Sequence, residues 1–204
     1  DVTDAKRTAG DDFYRGAMLR NVSTTDPAEY IKIWIGTLAT QATTNTTQLG
    51  GAGSGTIATT GSFADWSDAG YAHVRNSGGT TQEIVFYTSR TATVLTVPAA
   101  GRALLGTSAT AGGATDTVDE VPGVRIALEN VGLNKIQTIA DEFTSPTGRS
   151  WSTAITAATG LAISSLASGI NYGLWIHRQI PANIVPAGLG IKVKVEYSYY
   201  SSAA

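Results

Sequence analysis

The chain has 204 residues, a formal net charge of −2, and only 15% Asp, Glu, Lys and Arg. That length can bury one good core, or one domain carrying an insertion. The thin charge excludes the dense basic surface needed to neutralise nucleic-acid phosphates or to hold an anionic membrane. No apolar stretch approaches the ~18 residues of a membrane-spanning helix, and the lack of cysteine excludes disulfides and thiolate metal sites.

The first strand signal covers residues 13–22, by aromatic and β-branched content. In the second, Ile31, Ile33 and Ile35 alternate with Tyr30, Lys32 and Trp34. This period of two turns one face to a core and the other to water. Composition then shifts. Residues 37–62 are almost wholly Thr, Ala, Gly, Gln and Ser around TTNTTQLGGAGSGT. So little apolar surface cannot order itself, and the segment is expected to be a long loop or an arm held by a neighbour. Its GGAGSGT resembles a phosphate loop only superficially, because the lysine of GxxxxGK[ST] is missing.

Residues 63–121 carry a pattern of their own: AGYAHVRN, a turn at 76–79, QEIVFY, and a third strand at Val94–Val97, together a small antiparallel sheet. Clean alternation returns with Val124, Ile126 and Leu128 set against Arg125, Ala127 and Glu129. Leu133, Ile136, Ala140 and Phe143 have helical spacing, but no clear cap precedes them and Ser-Pro-Thr-Gly follows. This stretch and residues 161–168 therefore read as strand or loop. The closing GLWIHRQIPANIVPAGLGIKVKVEYSYY predicts an antiparallel hairpin of residues 173–180 and 190–199, with Pro181 and Pro186 confining its turn. Leu174, Ile176, Val193 and Val195 would face a core, and Trp175, His177, Lys192 and Lys194 the reverse side. The expected fold is all-β: an antiparallel, jelly-roll-like β-sandwich of residues 1–36 plus 122–204, the arm at 37–62, and a small β-subdomain inserted at 63–121.

Chemistry is sparse. The two histidines, His73 and His177, belong to no HxH, HxxxH or HExxH spacing, so no metal and no cofactor are expected. Asp65, Asp68, Asp116, Asp119 and Glu120 lie in turn-rich sequence without EF-hand spacing and read as turn formers. No GxSxG elbow constrains a nucleophile. Asn21-Val22-Ser23 and Asn45-Thr46-Thr47 match the glycosylation pattern, as chance allows in so Ser/Thr-rich a chain. The tryptophans carry more information. Trp34 and Trp175 each stand in opposite phase to core residues, so they require cover from the inserted subdomain or another subunit. Sugar-stacking platforms are the alternative.

Several stretches carry a family resemblance. AGDDFYRGAMLRNVSTTDPAEYIKIWIG resembles the opening of a group of tailed-bacteriophage virion proteins: a Gly/Asp turn, Tyr-Arg, a strand ending in Asn, then a strand ending Trp-Ile. IQTIADEFTSPTGRSWS and GLAISSLASGINYGLWIHRQIPAN are similar to that group's closing half, and AGYAHVRNSGGTTQEIVFYTSRTATVLTV resembles a small module of phage structural proteins. The order of these stretches is more specific than any one of them, and the C-terminal IKVKVEYSYYSSAA departs from the pattern. The resemblance implies a non-enzymatic virion component, assembled in the host cytoplasm. A capsid decoration (cement) protein on the outside of the particle is the first reading. A tail, neck or baseplate component, or a carbohydrate- or receptor-binding adhesin module, is the alternative. Expected partners are further copies of the chain, a trimer among the forms considered, and other virion proteins such as the major capsid protein. Neither nucleic acid nor membrane is expected. The candidate interface comprises Trp34, Trp175, His177, Arg178, Tyr199 and Tyr200.

Overall fold

The computed structural model describes residues 8–39, 42–43, 49–51, 53–76, 81–111, 113, 115–183 and 193–199. The fold is all-β. In chain order the strands are β1 (Asp11–Arg20), β2 (Ala28–Ile35), β3 (Ala42–Thr43), β4 (Gly55–Ala58), β5 (Gly70–Arg75), β6 (Thr81–Tyr87), β7 (Ser89–Arg90), β8 (Val94–Val97), β9 (Thr117–Val121), β10 (Val124–Leu128), β11 (Leu161–Leu166), β12 (Asn171–Ile180) and β13 (Val193–Tyr199). The chain divides into two compact units, one drawn from Asp1–Asp11, Thr37–Gly123 and Gln179–Lys192, the other from Asp12–Gly36, Val124–Arg178 and Val193–Ala204.

The unit containing β2 is built on two three-stranded sheets, β1-β12-β10 and β11-β2-β13. The isoleucine alternation does what its period dictates. Ile31, Ile33 and Ile35 are buried against Val124 and Ile126 of β10, Leu174 of β12, and Ile163 and Leu166 of β11. Burying each such side chain contributes about 1.5–3 kcal/mol relative to leaving it in water. Along the β2–β13 pair, Glu196 opposes Lys32 and Ser198 opposes Glu29, so β2 spends one more residue than β13. Tyr30 takes up the extra step as a bulge, with φ of 52° and an exposed ring.

The other unit also faces one sheet with another, β3-β9-β5-β6 and β4-β8-β7. Its core gathers Ala72 and Val74 from β5, Val85 and Tyr87 from β6, Leu95 and Val97 from β8, with Phe63 and Trp66 from the preceding loop. The opposite face of β5 carries Tyr71, His73 and Arg75. The Tyr71 hydroxyl donates to the Gln179 carbonyl at 2.6 Å, and Arg75 pairs with Asp119 at 2.6 Å.

Four local expectations are settled by these pairings. Residues 161–166 form a strand and residues 133–143 a loop of turns. The C-terminal hairpin does not form: β12 lies between β1 and β10, and β13 pairs with β2. Both edges of β12 are already occupied, so β13 takes the open edge of β2. Val94–Val97 does not extend the β5–β6 hairpin either. It joins β4 and β7, and β9 takes the second edge of β5.

The segment expected to be a loop or arm contributes β3, paired with β9, and β4, paired with β8. Its few apolar residues suffice because the rest of the unit supplies a place for them. Leu49 and Ile57 are both 3% exposed, and the Arg102 guanidinium donates to the Gly50 and Gly53 carbonyls. Arg102 is itself fixed by a buried ion pair with Glu83 at 2.7 Å. Residues 77–79 of the expected turn, Asn45 of the second sequon, Pro186, Lys192 and Tyr200 lie outside the described residues.

Candidate functional site

On β12, Trp175 and His177 point away from the isoleucine core, as their phase requires, yet neither is uncovered: they are 2% and 1% exposed. The cover is neither a second subunit nor the inserted segment. Ile136, Ile139 and Trp151, from the irregular stretch after β10, pack with Tyr14, Ala127 and Trp175 into a second small core on the outer face of the β1-β12-β10 sheet. This corrects the expectation of an exposed assembly surface.

A buried carboxylate organises that cover. Glu129 Oε2 accepts the Trp175 indole N–H at 2.8 Å and the Gln137 N–H at 2.7 Å. Its Oε1 accepts the N–H groups of Asn130 and Val131 and pairs with Arg149. Both charged side chains are fully buried. Burial pushes the Glu129 carboxyl up, but the N–H donors of Gln137, Trp175, Asn130 and Val131 outweigh it and hold the group below the usual carboxylate range. Arg149 also donates to Asn130 Oδ1 and, at 2.7 Å, to Gln137 Oε1, stitching the loop to itself. Close approach of the loop needs small residues beneath it. A Cβ at Gly173 would lie 2.6 Å from the Glu129 Cβ, and one at Gly16 would lie 2.3 Å from the Ile136 Cδ1.

His177 sits beside this hub with both ring nitrogens engaged. Nδ1 accepts from Arg125 Nε at 2.7 Å, which leaves the proton on Nε2, 2.8 Å from Asp12 Oδ1. Tyr14 stacks on the ring at 4.6 Å, and Trp151 closes its side at 5.4 Å, with the Arg125 guanidinium 5.2 Å above the Trp151 ring. A general base needs a nitrogen within reach of a substrate proton. This imidazole is a post between an arginine and an aspartate.

The five candidate residues that the structure describes do not converge. Trp34 is half-buried on the outer face of β2, opposite Lys194, whereas Trp175 is on the outer face of the other sheet. Arg178 is half-buried opposite Val124, and Tyr199 lies opposite Ala28 near the end of β13. In the other unit, burial first and the Arg75 guanidinium second hold the His73 imidazole down to about 3. Asp119 takes Arg75, and Glu120 accepts the Tyr87 hydroxyl at 2.8 Å and the Ser67 N–H at 2.9 Å. Among the described residues no group of three or more His, Asp or Glu is placed to hold a metal ion. The Asn21 amide donates to the Asp26 and Leu166 carbonyls, both at 2.9 Å, which ties its sequon into the fold.

An apolar groove exposed by the unit lies elsewhere. It has a volume of about 140 Å³ and opens at the β13 end of the sandwich, lined by Leu19, Val22, Ile31, Leu166, Val195 and Tyr197 among others. Val22 is 78% exposed, Tyr197 51% and Val195 39%. Sequence reasoning missed this surface because Val195 and Tyr197 have the phase of core residues. Only the topology, which leaves β13 at the end of its sheet, brings them to water.

Comparison with known proteins finds no matching family model, no matching curated protein and no matching solved structure.

Proposed function

We propose that the protein is a non-enzymatic structural component of a tailed-bacteriophage virion, a capsid decoration protein that binds the outside of the shell as an oligomer. The order along the chain of AGDDFYRGAMLRNVSTTDPAEYIKIWIG, the AGYAHVRN module, the Pro-Thr-Gly turn and GLWIHRQIPAN carries this reading, through their resemblance to virion proteins. The chemistry of the fold is compatible with it. The buried ionisable side chains of Glu129, Glu83 and His177 are engaged with partners inside their own units. Exposed Val195 and Tyr197 stand on a strand at the end of its sheet, which suits a subunit completed by its neighbours.

Adding the purified chain to particles that lack it, then pelleting the particles, tests the reading. Saturable binding at a copy number set by the shell lattice is expected. A handful of copies per particle would move the protein to the tail, neck or baseplate. Failure to bind any particle, with retention on immobilised glycans, would replace the reading by the adhesin alternative, in which exposed Tyr30 and Tyr197 stack on sugar rings.

A further inference from the structure

β13 ends its sheet in the order β11-β2-β13, so among the described residues no strand pairs along its outer edge. Edges of this kind present a row of backbone donors and acceptors that templates another strand. Residues 193–197 read Val-Lys-Val-Glu-Tyr. Lys194 and Glu196 stand on the outer face, opposite Trp34 and Lys32 of β2, whereas Val195 opposes Ile33 and carries the inner phase. Lys194, Val195, Glu196 and Tyr197 are all exposed. The bulge at this point belongs to β2, which leaves β13 regular along its outer edge.

We propose that this edge pairs with β13 of a second copy of the chain, antiparallel about a two-fold axis through Val195. The charges choose the register. Two strands related by a two-fold axis perpendicular to the sheet must pair a residue with its own counterpart at the centre, because opposed side chains share a face. Centred on Val195, Lys194 of each copy opposes Glu196 of the other, twice over, and Val193 opposes Tyr197. Centred one residue earlier, Lys194 opposes Lys194; one residue later, Glu196 opposes Glu196. Like charges directly opposite destabilise a ladder and opposite charges support it. Centred on Tyr197, Glu196 opposes Ser198 and the charges gain nothing. The Val195 register joins the two sheets into a continuous one, β11-β2-β13 against β13-β2-β11, and places exposed valine and tyrosine of the two copies together on the inner face. This assignment deepens the reading of the chain as a self-associating virion subunit and rests on it for its biological setting.

The chain has no cysteine, so a single introduced thiol reports the register. Residues opposed at the axis lie about 4.5–5.5 Å apart between Cα atoms, within disulfide reach. Val195→Cys is therefore expected to give a covalent dimer on mild oxidation. Lys194→Cys, whose counterpart lies diagonally at roughly 7–8 Å, is expected to give little. Sedimentation supplies an independent arm. Lys194→Glu and Glu196→Lys each oppose like charges twice and are expected to weaken self-association by about tenfold or more. An equimolar mixture of the two variants restores both attractive pairs and is expected to associate as the unmodified chain does. The proposal is overturned if the unmodified chain stays monomeric, if Val195→Cys does not cross-link, if Lys194→Cys cross-links equally well, or if the mixture fails to associate. Particles that carry the chain while Val195→Cys stays uncross-linked would sink the register and leave the virion reading standing. A cross-linked dimer from a chain found on no particle would do the reverse.

Discussion

Glu129 is a carboxylate buried with its arginine, and its donors come from the loop that it holds: the N–H groups of Asn130, Val131 and Gln137, and Arg149 itself. Removing one partner of a buried ion pair strands the other charge, at a cost of about 3–5 kcal/mol. Glu129→Ala is therefore expected to lose roughly that much stability in denaturant titration, and a loss below about 1 kcal/mol would contradict the role given to it. Trp175→Ala removes a buried indole from the same cover and is expected to cost about 3–5 kcal/mol in the isolated chain. A stable fold with weakened assembly would return Trp175 to an interface.

His73 makes a pH prediction. Its folded pKa of about 3 lies below the ordinary 6.5, so between those values the unfolded chain binds the extra proton and stability falls as pH falls. The expected slope from this residue is at most about 1.4 kcal/mol per pH unit. The depressed Glu129 carboxyl adds a loss only below its ordinary 4.5. Stability measured from pH 6.5 to 4.5 should accordingly drop for the unmodified chain and flatten for His73→Gln. An unchanged slope in the variant would refute the assignment.

At the scale of elements, β4 is the most direct check on how the Thr/Gly-rich stretch is ordered. Its amides are expected to be protected from hydrogen exchange in the isolated chain, and Ile57→Ala is expected to destabilise by about 2–5 kcal/mol. Unprotected amides there would restore the picture of an arm ordered only by a neighbour. β4 was illegible in the sequence because one buried isoleucine among Gly, Thr and Ala makes no periodic signal. Its order comes from β8 and from Arg102, which lie far along the chain. By contrast, β2 and β10 were legible, since each repeats apolar residues at every second position and both faces of that pattern are used. The phase of Trp175 was legible too. Its cover was not, because Ile136, Ile139 and Trp151 sit in a segment without period, fixed by hydrogen bonds to a glutamate that reads as an outward strand residue. Strand pairing was the remaining gap. Adjacency in sequence suggested β12 with β13, and competition for edges gave β12 to β10 and β13 to β2.

For the whole molecule, two compact units each keep their own core and their own buried ion pair, Glu129 with Arg149 and Glu83 with Arg102. The buried Glu129, Glu83, Asp119 and His177 are spent on partners inside the fold, and an apolar groove open to water lies beside β13. That distribution suits a particle subunit whose specificity lies in shape and strand edges. The most direct measurement of the proposed virion assignment is a cryo-electron map of purified particles from the source of the chain. Density for this all-β fold on the outer surface of the shell is expected, with copies meeting along β13. Particles carrying no such density anywhere would contradict the assignment to the virion.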